Sequence, residues 1–332
     1  MAKNSYVGVE AGSGCLKIAE TRNGTVVRFA AEDMPDDMVR NGEIVQWEAL
    51  GDFLKDSLKK NGISGKRGAV VVPDSLTFTR RVRMPAMSAA QLEVNLPYEF
   101  HDFISDDKEK YIYDYAMVGL LKDEDGVVRE MDLLGAACSR ELMDNYNQMF
   151  RRAGLKLAVA APDSRASGNI FRKIAPQHTD EDFALLDLGA SATRIDIYSR
   201  GIYSVTRSIE AGTSAVAGAI AELAGCDRHI GELYMREDRE HVLESETCRD
   251  IYGGIAIDVM RAINYYTFEN PDNSLETLYY YGGGSHIAPL LSDIRETIPL
   301  EMKPLAALAE DPLLQTALMN GPAAVGICWN GE

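Results

Sequence analysis

The chain has few cysteines, and none of them stands in a Cys-x-x-Cys pair. The five cysteines among 332 residues are Cys15, Cys138, Cys226, Cys248 and Cys328. An odd number without paired spacing argues against the disulfide framework of a small secreted domain. The five histidines show no His-Glu-x-x-His motif or other metal-ligand spacing. We therefore expect reduced thiols and no zinc-type centre.

Basic residues are also in the minority. The chain carries 34 lysines and arginines against 51 aspartates and glutamates, for a formal net charge of −17. Nucleic-acid binding depends on clustered cations that neutralise phosphates, so we expect no nucleic-acid partner. Nucleotides are not excluded, because backbone amides, a helix N-terminus and Mg²⁺ can bind them without a basic surface.

Long apolar runs are missing as well. No segment approaches the roughly 20 apolar residues that a membrane-spanning helix needs. Four polar residues lead directly into a strand at residues 6–10, which predicts no signal peptide and a cytoplasmic protein without direct membrane insertion. With 46% apolar residues, the chain can bury the cores of two domains.

Two segments share one pattern, a little over half the chain length apart. Residues 9–18 and 186–195 each place a carboxylate, Glu10 or Asp187, at the end of an apolar strand. Each continues through a tight turn of Gly and small residues into a second apolar strand with a basic residue before Ile. A single repeat at this offset predicts two halves of like fold.

The residue types of the two hairpins suit a phosphate site. Glycines let the backbone N–H groups approach an anion, and serine hydroxyls can donate to phosphate oxygens. Glu10 and Asp187 would repel phosphate directly, so we expect them to hold a hydrated Mg²⁺. Taken alone, an acidic-Gly-Ser turn between two strands is more often an ordinary hairpin turn. The candidate nucleotide-binding residues here are Gly12, Ser13, Gly14, Cys15, Lys17, Gly189, Ala190 and Ser191.

A third glycine-rich element lies near the other end of the chain. An aromatic strand at residues 278–281 runs into Gly282, Gly283, Gly284 and Ser285 and then a helical stretch to about Thr297. A strand, a glycine turn and a helix together present backbone N–H groups and a flat surface to a nucleotide. The alternative is a flexible strand-to-helix turn.

These motifs together resemble a known superfamily. The two hairpins resemble the two phosphate loops of the actin, Hsp70 and sugar-kinase superfamily, and residues 282–285 resemble its adenosine loop. More narrowly, the chain resembles the PilM family of actin-like type IV pilus assembly proteins. Residues 185–191 (LLDLGAS), 135–142 (GAACSREL) and 90–93 (AQLE) carry this likeness.

The resemblance implies an α/β architecture: an actin-like, ribonuclease H-like, duplicated two-domain fold with an inserted α+β subdomain in the first half. The first domain would span residues 1–160, with the insertion at about 74–135. The second would span residues 161–332, with the C-terminal stretch packing back on the first domain.

The resemblance also implies a function. The chain would be a cytoplasmic scaffold that binds ATP and Mg²⁺ and is peripheral to the inner membrane through a partner. That partner would be the N-terminal cytoplasmic tail of a single-pass inner-membrane pilus assembly protein, and self-association is a further expectation.

The residues near the implied ribose and hydrolysis sites predict slow or absent ATP turnover. Glu232 matches the ribose-side glutamate of the superfamily, but Met235 stands at its lysine position. Arg236 is adjacent, and helical spacing predicts that it points elsewhere. Asp163 is a weak candidate for orienting water, and no catalytic residue is otherwise predicted.

Three alternatives remain at the level of sequence. A small-molecule kinase of the same superfamily would need a catalytic base facing an acceptor pocket. A nucleotide-free actin-like scaffold would keep the fold alone. A cell-division tether would need a basic amphipathic C-terminal helix, and residues 323–332 do not form one.

Overall fold

The computed structural model describes residues 5–40 and 42–330. The first part of the chain runs to residue 162 and opens with five strands before its first helix. Its elements are β1 (Tyr6–Ala11), β2 (Cys15–Arg22), β3 (Thr25–Asp33), β4 (Val39–Arg40), β5 (Glu43–Ile44), α1 (Trp47–Lys60), β6 (Arg67–Val72), β7 (Phe78–Pro85), α2 (Ala89–Asn95), β8 (Tyr111–Lys122), β9 (Val128–Ser139), α3 (Arg140–Arg152) and β10 (Lys156–Pro162).

The second part repeats the opening pattern of the first. Its elements are α4 (Asp163–Ile174), β11 (Phe183–Leu188), β12 (Thr193–Ser199), β13 (Ile202–Ile209), α5 (Thr213–Ala224), α6 (Arg228–Glu237), α7 (Glu246–Glu269), β14 (Thr277–Tyr281), α8 (Ala288–Thr297), β15 (Glu301–Pro304), α9 (Pro312–Asn320) and α10 (Pro322–Gly326).

The two main sheets have the same topology. The strand orders are β3-β2-β1-β6-β10 and β13-β12-β11-β14-β15. In each sheet the first three strands form an antiparallel meander, and the last two join in parallel. Parallel pairs need crossover helices, and α1 and α3 supply them in the first sheet. The fold is therefore the duplicated actin-like α/β fold.

A separate three-stranded sheet lies between β6 and α3 in the chain. Its strand order is β7-β9-β8, and one face packs on α2. α2 begins at a capping box, because the Ser88 hydroxyl accepts a hydrogen bond from the Gln91 backbone N–H and the Gln91 side-chain oxygen accepts one from the Ser88 backbone N–H. The core between sheet and helix includes Leu92, Phe100 and Leu133.

The C-terminal segment packs against the first sheet and α4. A Cβ on Gly8 of β1 would lie 1.9 Å from the carbonyl oxygen of Ala324. Likewise, a Cβ on Gly326 would lie 1.9 Å from the carbonyl oxygen of Ala166 in α4. Both positions therefore need glycine for close backbone approach. Trp329 closes the segment, because its Nε1 donates a hydrogen bond of 2.9 Å to the Gly24 carbonyl.

Local patterns predict some elements better than others. The strand predicted at residues 6–10 is present as β1. The sequence pattern over residues 247–267 indicates a long helix in which the pair Gly253-Gly254 would allow close packing or a bend, and α7 is present there. A Cβ at either glycine would meet no atom within 4 Å, so close packing does not explain them. Within the described residues, no helix is long and apolar enough to cross a membrane.

Candidate functional site

A cleft of about 1770 Å³ opens between the two main sheets. Both hairpin turns of the duplicated pattern face it, and so does the start of the glycine run. The sequence-predicted residues that line the cleft are Glu10, Gly12, Ser13, Gly14, Cys15, Lys17, Asp163, Asp187, Gly189, Ala190, Ser191, Glu232, Gly282 and Gly283. Gly284 and Ser285 do not line it.

The two hairpin turns touch each other across the cleft. The Ser191 hydroxyl donates a hydrogen bond of 3.3 Å to the Ser13 Oγ. A Cβ on Gly14 would lie 2.8 Å from the Cβ of Ala190. A side chain at Gly14 would therefore force the turns apart, and glycine lets both sets of backbone N–H groups converge.

In the first hairpin, the carboxylate is paired with a lysine. Glu10 and Lys17 lie directly opposite each other on β1 and β2, and their side chains form an ion pair. Burial raises the pKa of Glu10, while Lys17 opposes that rise. Burial alone would lower the pKa of Lys17, but Glu10 and Asp187 raise it instead. Glu10 Oε2 is buried and accepts no hydrogen bond from the described residues.

The second hairpin repeats this arrangement with an arginine. Asp187 and Arg194 lie opposite each other on β11 and β12, and their side chains are 3.9 Å apart. Burial raises the pKa of Asp187, and Arg194 and Lys17 oppose the rise. The duplicated pattern thus places two carboxylates and two cations at one end of the cleft.

Arg194 contacts more than its own hairpin. Its Nη2 lies 2.7 Å from Asp163 Oδ2 at the start of α4, and its Nε lies 3.3 Å from Asp196 Oδ2. Burial alone would lower the pKa of Arg194, but Asp163 and Asp196 raise it well above its usual value. Arg194 is therefore the counterion of several carboxylates that are buried or nearly so.

A further carboxylate, Asp74, extends the cluster towards the three-stranded sheet. Asp74 follows β6 and accepts hydrogen bonds from Ser164, at 3.0 Å from the backbone N–H and 2.7 Å from the hydroxyl. Burial raises the pKa of Asp74 to about 7, against the opposing charge of Arg194. In the sequence, only its position after a buried strand distinguishes Asp74.

The glycine run packs on the end of β11. Gly282 has a φ of +96°, and a Cβ there would lie 2.7 Å from Asp187 Oδ1. A Cβ on Gly284 would lie 2.9 Å from the Leu188 Cβ. Gly284 is thus buried behind the cleft wall, and the Ser285 Oγ next to it is buried without a hydrogen-bond partner among the described residues.

Residues of α6 form another part of the cleft wall. Glu232 faces the cleft with its carboxylate 3.5 Å from Arg228. The expectation that Arg236 points elsewhere is wrong, because Arg236 lines the cleft and pairs with Asp33 at 2.9 Å. Asp33 ends β3, so this pair joins the two halves across the cleft mouth. The helical spacing of α6 alone could not predict that Arg236 pairs with Asp33 on the other half of the chain.

The residues present fit a nucleotide with a magnesium ion. No cluster of three or more metal-ligating side chains occurs in the described ranges, so a metal here would need ligand or water oxygens as well. The free Oε2 of Glu10 and the nearby Asp187 are two carboxylates that could hold such a hydrated ion.

Comparisons with known proteins concern the fold and the family. The structure described as the PilM-PilN type IV pilus biogenesis complex superposes with a TM-score of 0.80 at 20% identity, covering 97% of each chain. The ethanolamine utilization protein EutJ from Carboxydothermus hydrogenoformans gives a TM-score of 0.60 at 13% identity, covering 98% of this chain and 90% of that one. At these identities the likeness shows the fold alone. The family model of the type IV pilus assembly protein PilM matches residues 8–310, and the chain belongs to that family.

Proposed function

We propose that the chain is an ATP-binding, actin-like scaffold of type IV pilus assembly, which links an inner-membrane assembly protein to the cytoplasmic machinery. The observation that carries the nucleotide part is the meeting of two matched hairpins in one cleft. Ser13 and Ser191 are in contact there, so one polyphosphate could accept hydrogen bonds from both turns at once.

Magnesium would be held at the carboxylate end of this cleft. Glu10 Oε2 is the free buried acceptor, and Asp187 lies near it on the matching hairpin. Bound Mg²⁺ would supply charge neutralisation for the phosphates, and Lys17 would add a donor from β2. The two carboxylates are therefore more suited to an ion bridged by water than to direct phosphate contact.

Turnover should be slow or absent. Both oxygens of Asp163 are engaged, because Oδ1 accepts a 3.0 Å hydrogen bond from Ser167 and Oδ2 lies 2.7 Å from Arg194. A carboxylate tied in this way is poorly placed to orient an attacking water, and positioning is most of phosphoryl-transfer catalysis. The same pairing argues against Asp163 as the base of a small-molecule kinase.

Titration calorimetry with Mg-ATP tests nucleotide binding. We expect saturable heat and a raised thermal midpoint for the unaltered chain. The double variant Glu10→Gln with Asp187→Asn should lose the Mg²⁺-dependent part of the affinity, and Asp258→Asn on α7 is the matched control. A thermal melt without ligand checks that each variant folds. No heat and no thermal shift at millimolar Mg-ATP would make the chain a nucleotide-free scaffold.

The partner is proposed to be the cytoplasmic N-terminal tail of a single-pass protein that corresponds to PilN, which the similar structure names as the partner of PilM. The α2 side of the three-stranded sheet offers an apolar surface for it. Val94, Tyr98 and Phe103 are 65%, 58% and 56% exposed. Arg80 lies 4.4 Å from the Phe103 ring centroid, and Lys108 lies 4.1 Å from that of Tyr98. A disordered tail could recover its ordering cost by burying apolar anchors here.

A labelled synthetic peptide of the neighbouring membrane protein's N-terminus tests this surface. We expect the double variant Tyr98→Ala with Phe103→Ala to weaken binding at least tenfold in fluorescence anisotropy. Phe268→Ala is the control, since Phe268 is 80% exposed on α7. Unchanged affinity in the double variant would move the docking surface elsewhere on the protein.

A further inference from the structure

A second groove lies on the other side of the three-stranded sheet. It has a volume of about 520 Å³, which is within the usual range of ligand sites. One wall is formed by β8 and β9 of the three-stranded sheet. The other wall is formed by α4 and by the turn between β12 and β13. The groove thus separates the inserted region from the second half of the chain.

The sheet wall of this groove is apolar. Ala116 and Leu134 are paired across β8 and β9, so they share one face of the sheet. Leu133, next to Leu134, faces the opposite side and packs in the core with α2. Val118 of β8 also lines the groove, and Ala116, Val118 and Leu134 are each half-buried. β8 is an edge strand, since it pairs with β9 alone among the described strands.

The opposite wall carries three arginines. Arg165 and Arg172 are seven residues apart on α4 and therefore lie on one face of the helix. Arg200 comes from the turn between β12 and β13, where its φ is +49°. Gly168 lies between the two helix arginines, and the ring of Tyr198 packs over it, because a Cβ there would lie 2.9 Å from Tyr198 Cε1. The three cations therefore face one side of the groove.

These cations lack carboxylate partners. Across residues 5–40 and 42–330, no ion pair involves Arg165, Arg172 or Arg200, although Arg172 donates a hydrogen bond to Asn169. Asp180 is the acidic side chain that lines this groove. Burial and the charge of Arg172 lower the pKa of Arg165 to about 10. A chain of net charge −17 thus keeps an excess of positive charge in one groove.

We infer that this groove binds an extended acidic peptide segment of another protein, in which carboxylates alternate with apolar side chains. In an extended chain, successive side chains point to opposite sides. One set would pack on Ala116, Val118 and Leu134, and the other would pair with the arginines. Arginine forms bidentate pairs with carboxylates, which would relieve the unpaired cations. This site is distinct from the proposed tail surface on the α2 side of the sheet.

Two fluorescein-labelled peptides of eight residues test the inference. One alternates Glu or Asp with Val or Ile, and the other carries Lys at the acidic positions. We expect the acidic peptide to give saturable anisotropy and the lysine peptide to give none. Affinity should fall as NaCl rises from 50 to 500 mM, because salt screens charge pairs at an exposed rim.

Matched variants assign binding to the groove. Arg165→Ala combined with Arg172→Ala should weaken the acidic peptide at least tenfold, while Arg261→Ala on α7 should leave it unchanged. Arg165→Lys with Arg172→Lys should retain part of the affinity, and circular dichroism melts check folding. Equal affinity for both peptides, or no effect of the alanine pair, would overturn the inference. Binding of inorganic pyrophosphate without binding of the acidic peptide would overturn it as well, in favour of a small-anion site.

Discussion

Replacing Arg194 with methionine should destabilise the protein strongly at neutral pH. The side chain of Arg194 is only 18% exposed and lies within 4 Å of Asp163, Asp187 and Asp196. Methionine retains an apolar side chain of similar length and removes the charge. Removing one partner of a buried ion pair leaves the other charge uncompensated, which typically costs about 3–5 kcal/mol. This is a large fraction of the roughly 5–15 kcal/mol that stabilises a folded protein.

The pH dependence of this loss follows from the two carboxylates whose pKa Arg194 lowers. Burial already raises the pKa values of Asp187 and Asp196, and Arg194 opposes the rise. Without Arg194 the pKa values of both carboxyl groups in the folded protein rise further, while their pKa values in the unfolded chain stay at about 3.9. The folded variant therefore takes up protons before the unfolded chain as the pH falls. Its free energy of unfolding should recover relative to the unaltered protein between pH 7.5 and pH 5.5.

Urea unfolding followed by fluorescence of Trp47 and Trp329 measures both effects. With a slope of about 3 kcal/mol per molar urea, the midpoint for Arg194→Met should fall by about 1–1.7 M at pH 7.5. Arg194→Lys should recover part of the loss. Arg261→Met removes the cation of an exposed pair with Asp258 and should cost less than about 1 kcal/mol. A midpoint for Arg194→Met no lower than that of Arg261→Met, or a loss equal at both pH values, would refute the reasoning.

Three further predictions follow from the cleft. Asp74→Asn should flatten the pH dependence of the urea unfolding midpoint between pH 5 and 8. The pKa of Asp74 is about 7 in the folded protein, above its unfolded value of about 4. The contribution of Asp74 to the free energy of unfolding therefore declines as the pH rises between these two values. Gly282→Ala should lower stability by about 1–3 kcal/mol in thermal melts because of its φ of +96°, whereas Gly283→Ala, with no neighbour within 4 Å, should cost less. Arg236→Met and Asp33→Asn should each speed release of a fluorescent ATP analogue two- to tenfold in stopped flow, and the double variant should add little if the two residues act as a pair.

Sequence reasoning succeeded where the structure is decided locally. Apolar residues recur at helical spacing over residues 47–60, which predicts a helix there, and α1 has the same bounds. The two hairpins were predicted from strand-turn-strand patterns, and the basic residue before Ile in each one is Lys17 or Arg194. Antiparallel pairing across a short turn then puts each cation opposite its carboxylate.

Contacts between distant parts of the chain could not be predicted in this way. Asp74 and Ser164 are 90 residues apart, and Asp33 and Arg236 are 203 apart. Their proximity depends on how the two main sheets and α4 pack together. The spacing of apolar residues within one element cannot predict that packing. The Arg236 prediction failed for this reason, since it considered the faces of α6 without the wall that α6 opposes.

The two copies of the hairpin differ in their cation, which is Lys17 in the first copy and Arg194 in the second. An ammonium is a compact charge, and Lys17 forms its ion pair with Glu10 of its own hairpin. A guanidinium has five donors in a planar fork, so Arg194 can contact Asp196 on its own strand and Asp163 on α4 at once. The residue after Asp163 donates two hydrogen bonds to Asp74, which precedes β7 of the three-stranded sheet. A continuous series of ion pairs and hydrogen bonds therefore leads from the second hairpin to the three-stranded sheet. Among the described residues, the contacts of Lys17 form no such series from the first hairpin.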